Sequence, residues 1–302
     1  MFTRTRILRF LSFVVVLISI VTISRHVETS HEAIAAIAPA DCKIDKQFLL
    51  QAGCNLPFKG RDGLDVDKHC PIEGCNKGAA NQEQNRHKND LCATGKTTDV
   101  SFLSFDKLQQ AVDAQKKFGY SGNKKPLSED RSVLTALPTV NAKGKPTTLG
   151  EGDLVTLTAV VQEAKHDDVS LLNPIYGGEG VNCNVDDVEW NDIHVVLGQT
   201  AGSKECSSVT AEIIPHFRSE VRDRFDSNPK TSPAVHGLPV QGLKVKITGT
   251  LLFDGSHAPC GNPNKSKSDP ARRSLWEIHP VYDIQVLDKS KFISLESWAS
   301  KH

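Results

Sequence analysis

An excess of charge of either sign is absent from this chain: Lys plus Arg is 36, Asp plus Glu is 36, and the formal net charge is zero. No global field draws in a polyanion, so duplex nucleic acid is not an expected partner. Aromatic residues make up only 6% of the chain, which leaves Tyr176, Trp190 and Trp276 as the few rings on which a base or sugar could stack. A Gly-x-Ser-x-Gly elbow is missing, and Ser207 and Ser208 beside Cys206 read as residues that lead into a strand, so a serine nucleophile has no support. The run Gly177-Gly178-Glu179-Gly180 lacks the lysine and following helix of a phosphate-cradling loop and reads as a turn. No Leu-x-x-Cys lipoprotein pattern follows the apolar N-terminal run.

That run is the one long uncharged stretch. Arg4, Arg6 and Arg9 precede an apolar segment from Phe10 to Ser24, followed by Arg25 and His26. A basic start followed by about 15 apolar residues is the layout of an export signal. As a helix it falls short of a hydrocarbon core roughly 30 Å thick, so residues 1–30 are expected to be a cleaved signal peptide or a thin membrane anchor over 10–24. Either way the body crosses the membrane and is extracytoplasmic, periplasmic or secreted.

Eight cysteines, Cys42, Cys54, Cys70, Cys75, Cys92, Cys183, Cys206 and Cys260, agree with export and read as disulfides. Five precede residue 100 and three follow residue 180, so complete pairing requires an odd number of bridges between the two regions. The pairing itself stays open. Structural zinc is the rival, but Cys70 and Cys75 have no matching second pair.

Residues 41–120 are expected as a cysteine-rich, stapled region. A short helix falls within Ala79–Leu91, and Asn85, Arg86, Lys88 and Asn89 read as its solvated face beside a disulfide, with a binding loop at Asn85-Arg86-His87-Lys88-Asn89 as the alternative. A clearer helix has Ser104 as cap, Phe105, Leu108, Ala111, Val112 and Phe118 as an apolar stripe, and Gly119 as its stop. Residues 121–148, with Pro126, Pro138 and Pro146, read as a linker. From 149 to 290 the pattern turns to strands: Asp153–Val161, Asp192–Leu197, Val209–Ile214, Leu243–Phe253 and Trp276–Leu287 alternate at the two-residue period. His216–Pro229 reads as a short helix. The expected fold class is therefore mainly β with some α: an OB-like five-stranded β-barrel, preceded by the cysteine-rich region and the N-terminal hydrophobic helix. A β-sandwich is the alternative. Residues 291–302 form an amphipathic tail.

The succession Gly178–Cys183, Asn191–His194, Val209–Pro215, Ile247–Asp254 and Leu275-Trp276-Glu277-Ile278-His279-Pro280 resembles a group of bacterial, mostly exported proteins with a C-terminal Trp-Glu-Ile-His-Pro signature. The resemblance spans roughly residues 149–290, with a weaker likeness around Asn85–Cys92. It implies an OB-like barrel and carries no activity over.

Chemistry-bearing residues fall on strand faces. Asp192 and His194 share one face of the second strand, Glu277 and His279 one face of the fifth, and Asp254 and His257 follow the fourth. Two imidazoles and a carboxylate suit zinc or another divalent metal, or acid–base work. The plainer reading is that these groups pin strands and loops by hydrogen bonds, as buried polar groups must. Pro280 within a strand implies an edge or a bulge. The leading functional expectation is a non-enzymatic binding or structural module of the cell envelope, with no cofactor, a membrane contact through the N-terminal segment if uncleaved, and an unassigned protein or glycan ligand. One alternative is a metal-dependent hydrolase using His194, His279 and Asp192 or Asp254. Another is an oligonucleotide- or glycan-binding OB domain contacting its ligand through Tyr176 and Trp190.

Overall fold

The computed structural model of the chain describes residues 64–75, 78–89, 96–123, 125–166, 179–185, 188–267 and 270–302. The apolar N-terminal segment, Cys42, Cys54, Cys92 and Tyr176 lie outside these residues. Among the described residues no helix is long and apolar enough to cross a membrane.

The elements in chain order are helices α1 (Asp65–His69) and α2 (Ala79–Lys88), strand β1 (Thr98–Val100), helix α3 (Phe102–Asp113), strands β2 (Leu137–Val140), β3 (Pro146–Leu149), β4 (Leu154–His166), β5 (Ile193–Gly198) and β6 (Val209–Ile213), helices α4 (Glu220–Asp223) and α5 (Ser232–Val235), strands β7 (Lys244–Phe253), β8 (Trp276–Asp288) and β9 (Lys291–Ser294), and helix α6 (Leu295–Ala299). Five of the strands close a barrel. β4 pairs antiparallel with β5, β5 with β6, β8 with β7, and β7 returns antiparallel to β4. The remaining junction, β6 to β8, is parallel, with Ala211 opposite Ile278. Closure leaves the five strands without a free edge.

Alternation built these strands as the sequence predicts. Val155, Leu157, Val195, Leu197, Ala211, Ile213, Ile247, Trp276 and Ile278 point into the core and are fully buried. The outward-facing Thr210 and Glu212 of β6 and Glu277 and His279 of β8 are polar yet buried, because chain outside the barrel covers that wall.

Helix α3 starts at Phe102, with Ser101 as its cap; Ser104 sits at the third position, where its Oγ accepts the Ser101 N–H at 2.9 Å. The helix ends at Asp113, well before Gly119, and Phe118 reaches the core from the turn that follows. Phe105, Leu108 and Val112 bury against the barrel as the stripe predicts. Residues 121–148 do more than link: β2 and β3 form a hairpin, and Arg131 is buried in a two-pronged contact with Glu151. His216–Pro229 holds only a 3₁₀ turn and the one-turn α4, because Arg218 turns away to the Val188, Glu189 and Asn191 carbonyls. In the tail, β9 pairs with β8, while Leu295 and Trp298 of α6 are buried.

Cys70 is bonded to Cys183 and Cys206 to Cys260, and Cys75 is also disulfide-bonded. The first bridge joins the cysteine-rich region to the chain between β4 and β5, as the distribution of cysteines requires. These bonds indicate an oxidising, extracytoplasmic setting. They also remove the zinc alternative at Cys70, Cys75 and Cys183, whose sulfurs cluster because they are cross-linked.

Pro280 sits in a bulge. Gly249 faces Val281 and Leu251 faces Ile278, so His279 and Pro280 together oppose Thr250, whose Oγ1 donates to the His279 carbonyl at 2.8 Å. A Cβ on Gly249 would lie 2.3 Å from the Pro280 carbonyl oxygen. Gly249→Ala therefore forces backbone apart at the bulge, and we expect a loss of about 1–3 kcal/mol in denaturant unfolding. An unchanged midpoint would show that the approach is not this close.

Candidate functional site

The parity of three strands brings one set of polar side chains together outside the barrel. His194 on β5 stands directly opposite Glu212 on β6. The Ala211–Ile278 register then sets Glu277 and His279 of β8 beside the same carboxylate. Two further segments cover this wall: α2, which contributes Gln84, Asn85 and Lys88, and residues 179–182, held by the Cys70–Cys183 bridge. Between them lies a cavity of about 530 Å³, lined among others by Lys88, Glu179, His194, Glu212, His257 and Arg272.

Glu212 is at its centre and wholly buried. Its Oε2 lies 2.8 Å from His279 Nε2 and 3.5 Å from Lys88 Nζ. Its Oε1 lies 3.1 Å from His194 Nε2 but receives no hydrogen bond, because that nitrogen is aligned on Glu179 Oε1 at 3.3 Å. One ring N–H cannot serve two carboxylates. Glu179 is held from behind in turn, its Oε2 accepting the Asp192 N–H at 3.2 Å. Each of the two carboxylates thus has one oxygen anchored and the other turned toward His194 Nε2.

Beneath this layer, His279 Nε2 also faces Asp192 Oδ2 at 3.3 Å, an ion-pair distance without hydrogen-bond alignment to either carboxylate. Beside it, Arg272 Nη1 lies 3.2 Å from Asp254 Oδ2 and 3.1 Å from Glu277 Oε2. Asp254 Oδ2 faces His257 Nε2 at 3.4 Å, and Asp254 Oδ1 accepts from Gln84 at 2.9 Å.

Burial works against every charge here, and the neighbours decide which charges persist. Burial alone would raise the Glu212 carboxyl, but His194, Lys88 and His279 outweigh it and hold it well below the usual range. Burial would lower Lys88, yet Glu212 and then Asp254, Glu277 and Glu179 keep it well above the ordinary lysine value. His279 is likewise opposed by burial and raised to about 9 by Glu212 and Asp192. Glu179 and Glu277 lose this contest: burial, then Asp192 for the one and Glu212 for the other, push them up to about 7 and about 8.

All six polar residues predicted from sequence meet here, Asp192, His194 and His279 around Glu212, and Asp254, His257 and Glu277 around Arg272. The predicted stacking residue Trp190 does not take part: it is buried against Val66, Cys70 and Cys183, its ring stacked on His69. The expected solvated face of α2 is also corrected, since Asn85, Lys88 and Asn89 are buried, Lys88 against Glu212. Sequence reasoning missed Glu212 and Glu179. Glu212 was legible as the one charged residue of β6, out of phase with Ala211 and Ile213. Glu179 carried no signal beyond a glycine-rich turn. No family profile and no curated protein matches the chain.

The direction of these shifts sets a pH dependence for the metal-free protein. His279, raised from 6.5 to about 9, contributes stability that is complete below 6.5 and lost as pH rises through 9. Glu277, raised from 4.5 to about 8, keeps a proton that the unfolded chain releases, so it too favours the fold less as pH rises over that interval. Thermal unfolding of chelator-treated protein should therefore show a midpoint that falls between pH 6 and pH 9, and less steeply in His279→Gln. A flat profile would contradict these assignments.

Proposed function

We propose that the protein is a metal-dependent hydrolase of the extracytoplasmic space, built on an OB-type barrel, with Glu179, His194 and Glu212 as its metal ligands. The strand order, with a parallel junction between the third and fifth barrel strands and helices between the third and fourth, supports the OB assignment. It also puts the site on the wall of the second and third strands, where OB domains bind their ligands. The resemblance to exported bacterial proteins agrees with this placement, as do the disulfides.

One observation carries the metal reading: the buried Glu212 Oε1, without a hydrogen bond, converges with Glu179 Oε1 on His194 Nε2. Ligand atoms around an ion with bonds of about 2.1 Å stand roughly 3.0–3.4 Å apart at octahedral to tetrahedral angles. The observed separations of 3.1 and 3.3 Å fit. One imidazole with two carboxylates suits zinc or manganese. These three residues line the cavity, whereas His279 and Asp192 lie behind them, so an ion there keeps open positions for water and substrate, as catalytic sites require. His279 from behind and Lys88 from the cavity wall would then orient Glu212. Relative to the sequence expectation, His279 and Asp192 move from ligands to supports. A purely structural module would have no need of two carboxylates turned on one imidazole at the wall of an open cavity.

Elemental analysis of the purified soluble body tests this. Wild type incubated with zinc or manganese and then desalted should hold one ion per chain. Glu212→Gln and His194→Gln should lose it while keeping the circular dichroism of the fold, and His279→Gln should weaken binding about 10–100-fold. A folded wild type that retains no stoichiometric metal would overturn the reading.

A further inference from the structure

The cavity carries a second built group that metal binding does not use. Asp254, at the end of β7, is buried and held on every side. Its Oδ1 accepts from Gln84 Nε2 at 2.9 Å and from the Ser256 N–H at 3.0 Å, and its Oδ2 faces Arg272 Nη1 at 3.2 Å. Gln84 is fixed in turn, its Oε1 accepting the Gly255 N–H at 2.8 Å. So anchored, Asp254 presents Oδ2 to His257 Nε2 at 3.4 Å. His257 lines the cavity with its side chain 35% exposed, whereas Asp254, Gln84 and Arg272 are buried at its wall. A buried carboxylate, ionised and fixed by three other groups, orienting an imidazole at the mouth of a polar cavity is the arrangement that positions a general acid–base. Burial works against the Asp254 charge, but His257, Lys88 and Arg272 keep its carboxyl ionised. A surface ion pair made only for stability gains little and has no need of such anchoring.

The lining also limits the substrate. Lys88, Lys165 and Arg272 border the cavity together with the carboxylates of Glu163, Glu179, Glu205, Glu212 and Asp254, Lys88 facing Glu212 and Arg272 facing Asp254, and a divalent ion would offset the two carboxylates that hold it. Such an ion beside an imidazole placed to protonate a leaving group suits phosphoryl transfer, in which negative charge grows on the transferring and leaving oxygens. Ser208, Thr210 and Ser256 are the hydroxyl side chains of the lining; the Ser208 Oγ donates to the Lys204 carbonyl at 3.1 Å and the Ser256 Oγ accepts from Gln84 Nε2 at 2.9 Å, so water rather than a side chain is the fitting nucleophile. The neutral chain has no surface field for duplex DNA, which points to small or single-stranded esters.

We propose that this cavity hydrolyses phosphodiesters, with His257 as the acid that protonates the leaving alkoxide and Asp254 as the residue that positions it. In that step a water oxygen forms the new bond to phosphorus, and the phosphorus–alkoxide bond breaks. The water's proton goes to solvent, the alkoxide takes the His257 proton, and solvent restores that proton. This proposal rests on the metal-dependent reading, but its test separates the two.

The probes are thymidylyl-thymidine, whose leaving alkoxide needs a proton, and thymidine 5′-(p-nitrophenyl phosphate), whose phenolate leaves without one. Both are offered to manganese- or zinc-loaded full-chain protein with metal content measured alongside. Wild type should cleave both. His257→Gln, at an exposed position where folding is expected to survive, should keep its metal and lose about 100-fold or more in kcat on the dinucleotide, with a loss at least about tenfold smaller on the aryl ester. Asp254→Asn should shift in the same sense. Equal losses on both probes would overturn the acid role. Metal-loaded wild type that cleaves neither probe would overturn the phosphodiester assignment while leaving the metal centre standing. Absence of bound metal would overturn the centre itself, and this proposal with it.

Discussion

A single ionised carboxylate, Glu212, sits fully buried on the outer wall of the barrel, and the surrounding structure is arranged around keeping it charged. Moving such a group out of water costs several kcal/mol unless partners compensate. Three basic groups supply the compensation, each from a different part of the chain: Lys88 from the cysteine-rich region, His194 from β5 and His279 from β8. Their assembly depends on three independent features of the fold. The β5–β6 register sets His194 opposite Glu212, the parallel β6–β8 junction sets His279 beside it, and α2 must dock over both. The carboxylate therefore ties the N-terminal region to the barrel at the same place as the disulfide does.

That coincidence explains the position of the Cys70–Cys183 bridge. Cys183 directly follows the turn that carries Glu179 and Asn182, and Cys70 follows α1, whose Asp67 meets His216 at 2.6 Å. The turn at 179–183 is fixed by the bridge against this wall beside α1. Cross-linked, it holds Glu179 where burial and Asp192 raise its carboxyl, and where His194 can face it. The β8 bulge acts similarly from the other side. Opposing two residues to Thr250 gives Pro280 a place without a ladder N–H and keeps Glu277 and His279 on the polar wall while Trp276 and Ile278 fill the core.

How much of this the residues announce in advance follows from the range of the interactions involved. Strand alternation is local, so the five barrel strands are legible, as are the shared faces of Asp192 with His194 and of Glu277 with His279. Which strands neighbour one another is not local. The meeting of those two pairs at Glu212 depends on the single parallel contact between Ala211 and Ile278, and no pattern in either strand encodes it. Glu212 stood out only as a charge in an otherwise apolar strand. Lys88 was misread because α2 is polar on all sides, which in most helices means solvent. Here the polar groups it buries meet polar groups of another segment, and a helix that covers a charged wall looks from sequence like one that covers nothing. Glu179 is invisible for a different reason: its position is set by a disulfide whose pairing spacing alone leaves open.

The protonation pattern also bears on what the wall is for. Two carboxyls raised toward neutrality and one histidine raised to about 9 surround a carboxylate held ionised, so protons occupy the places a harder cation would contest. A network selected only to join strands is better served by neutral hydrogen bonds or apolar packing, which avoid the desolvation of so many charges. The charges here are graded by depth. The inner layer of Asp192, His279 and Glu277 is closed, while Glu179, His194, Arg272 and His257 line the cavity. The closed inner layer holds the outer carboxylates from behind, His279 against Glu212 and the Asp192 N–H on Glu179. The stability of the wall rests on that inner part, while the outer groups are the ones that face the cavity.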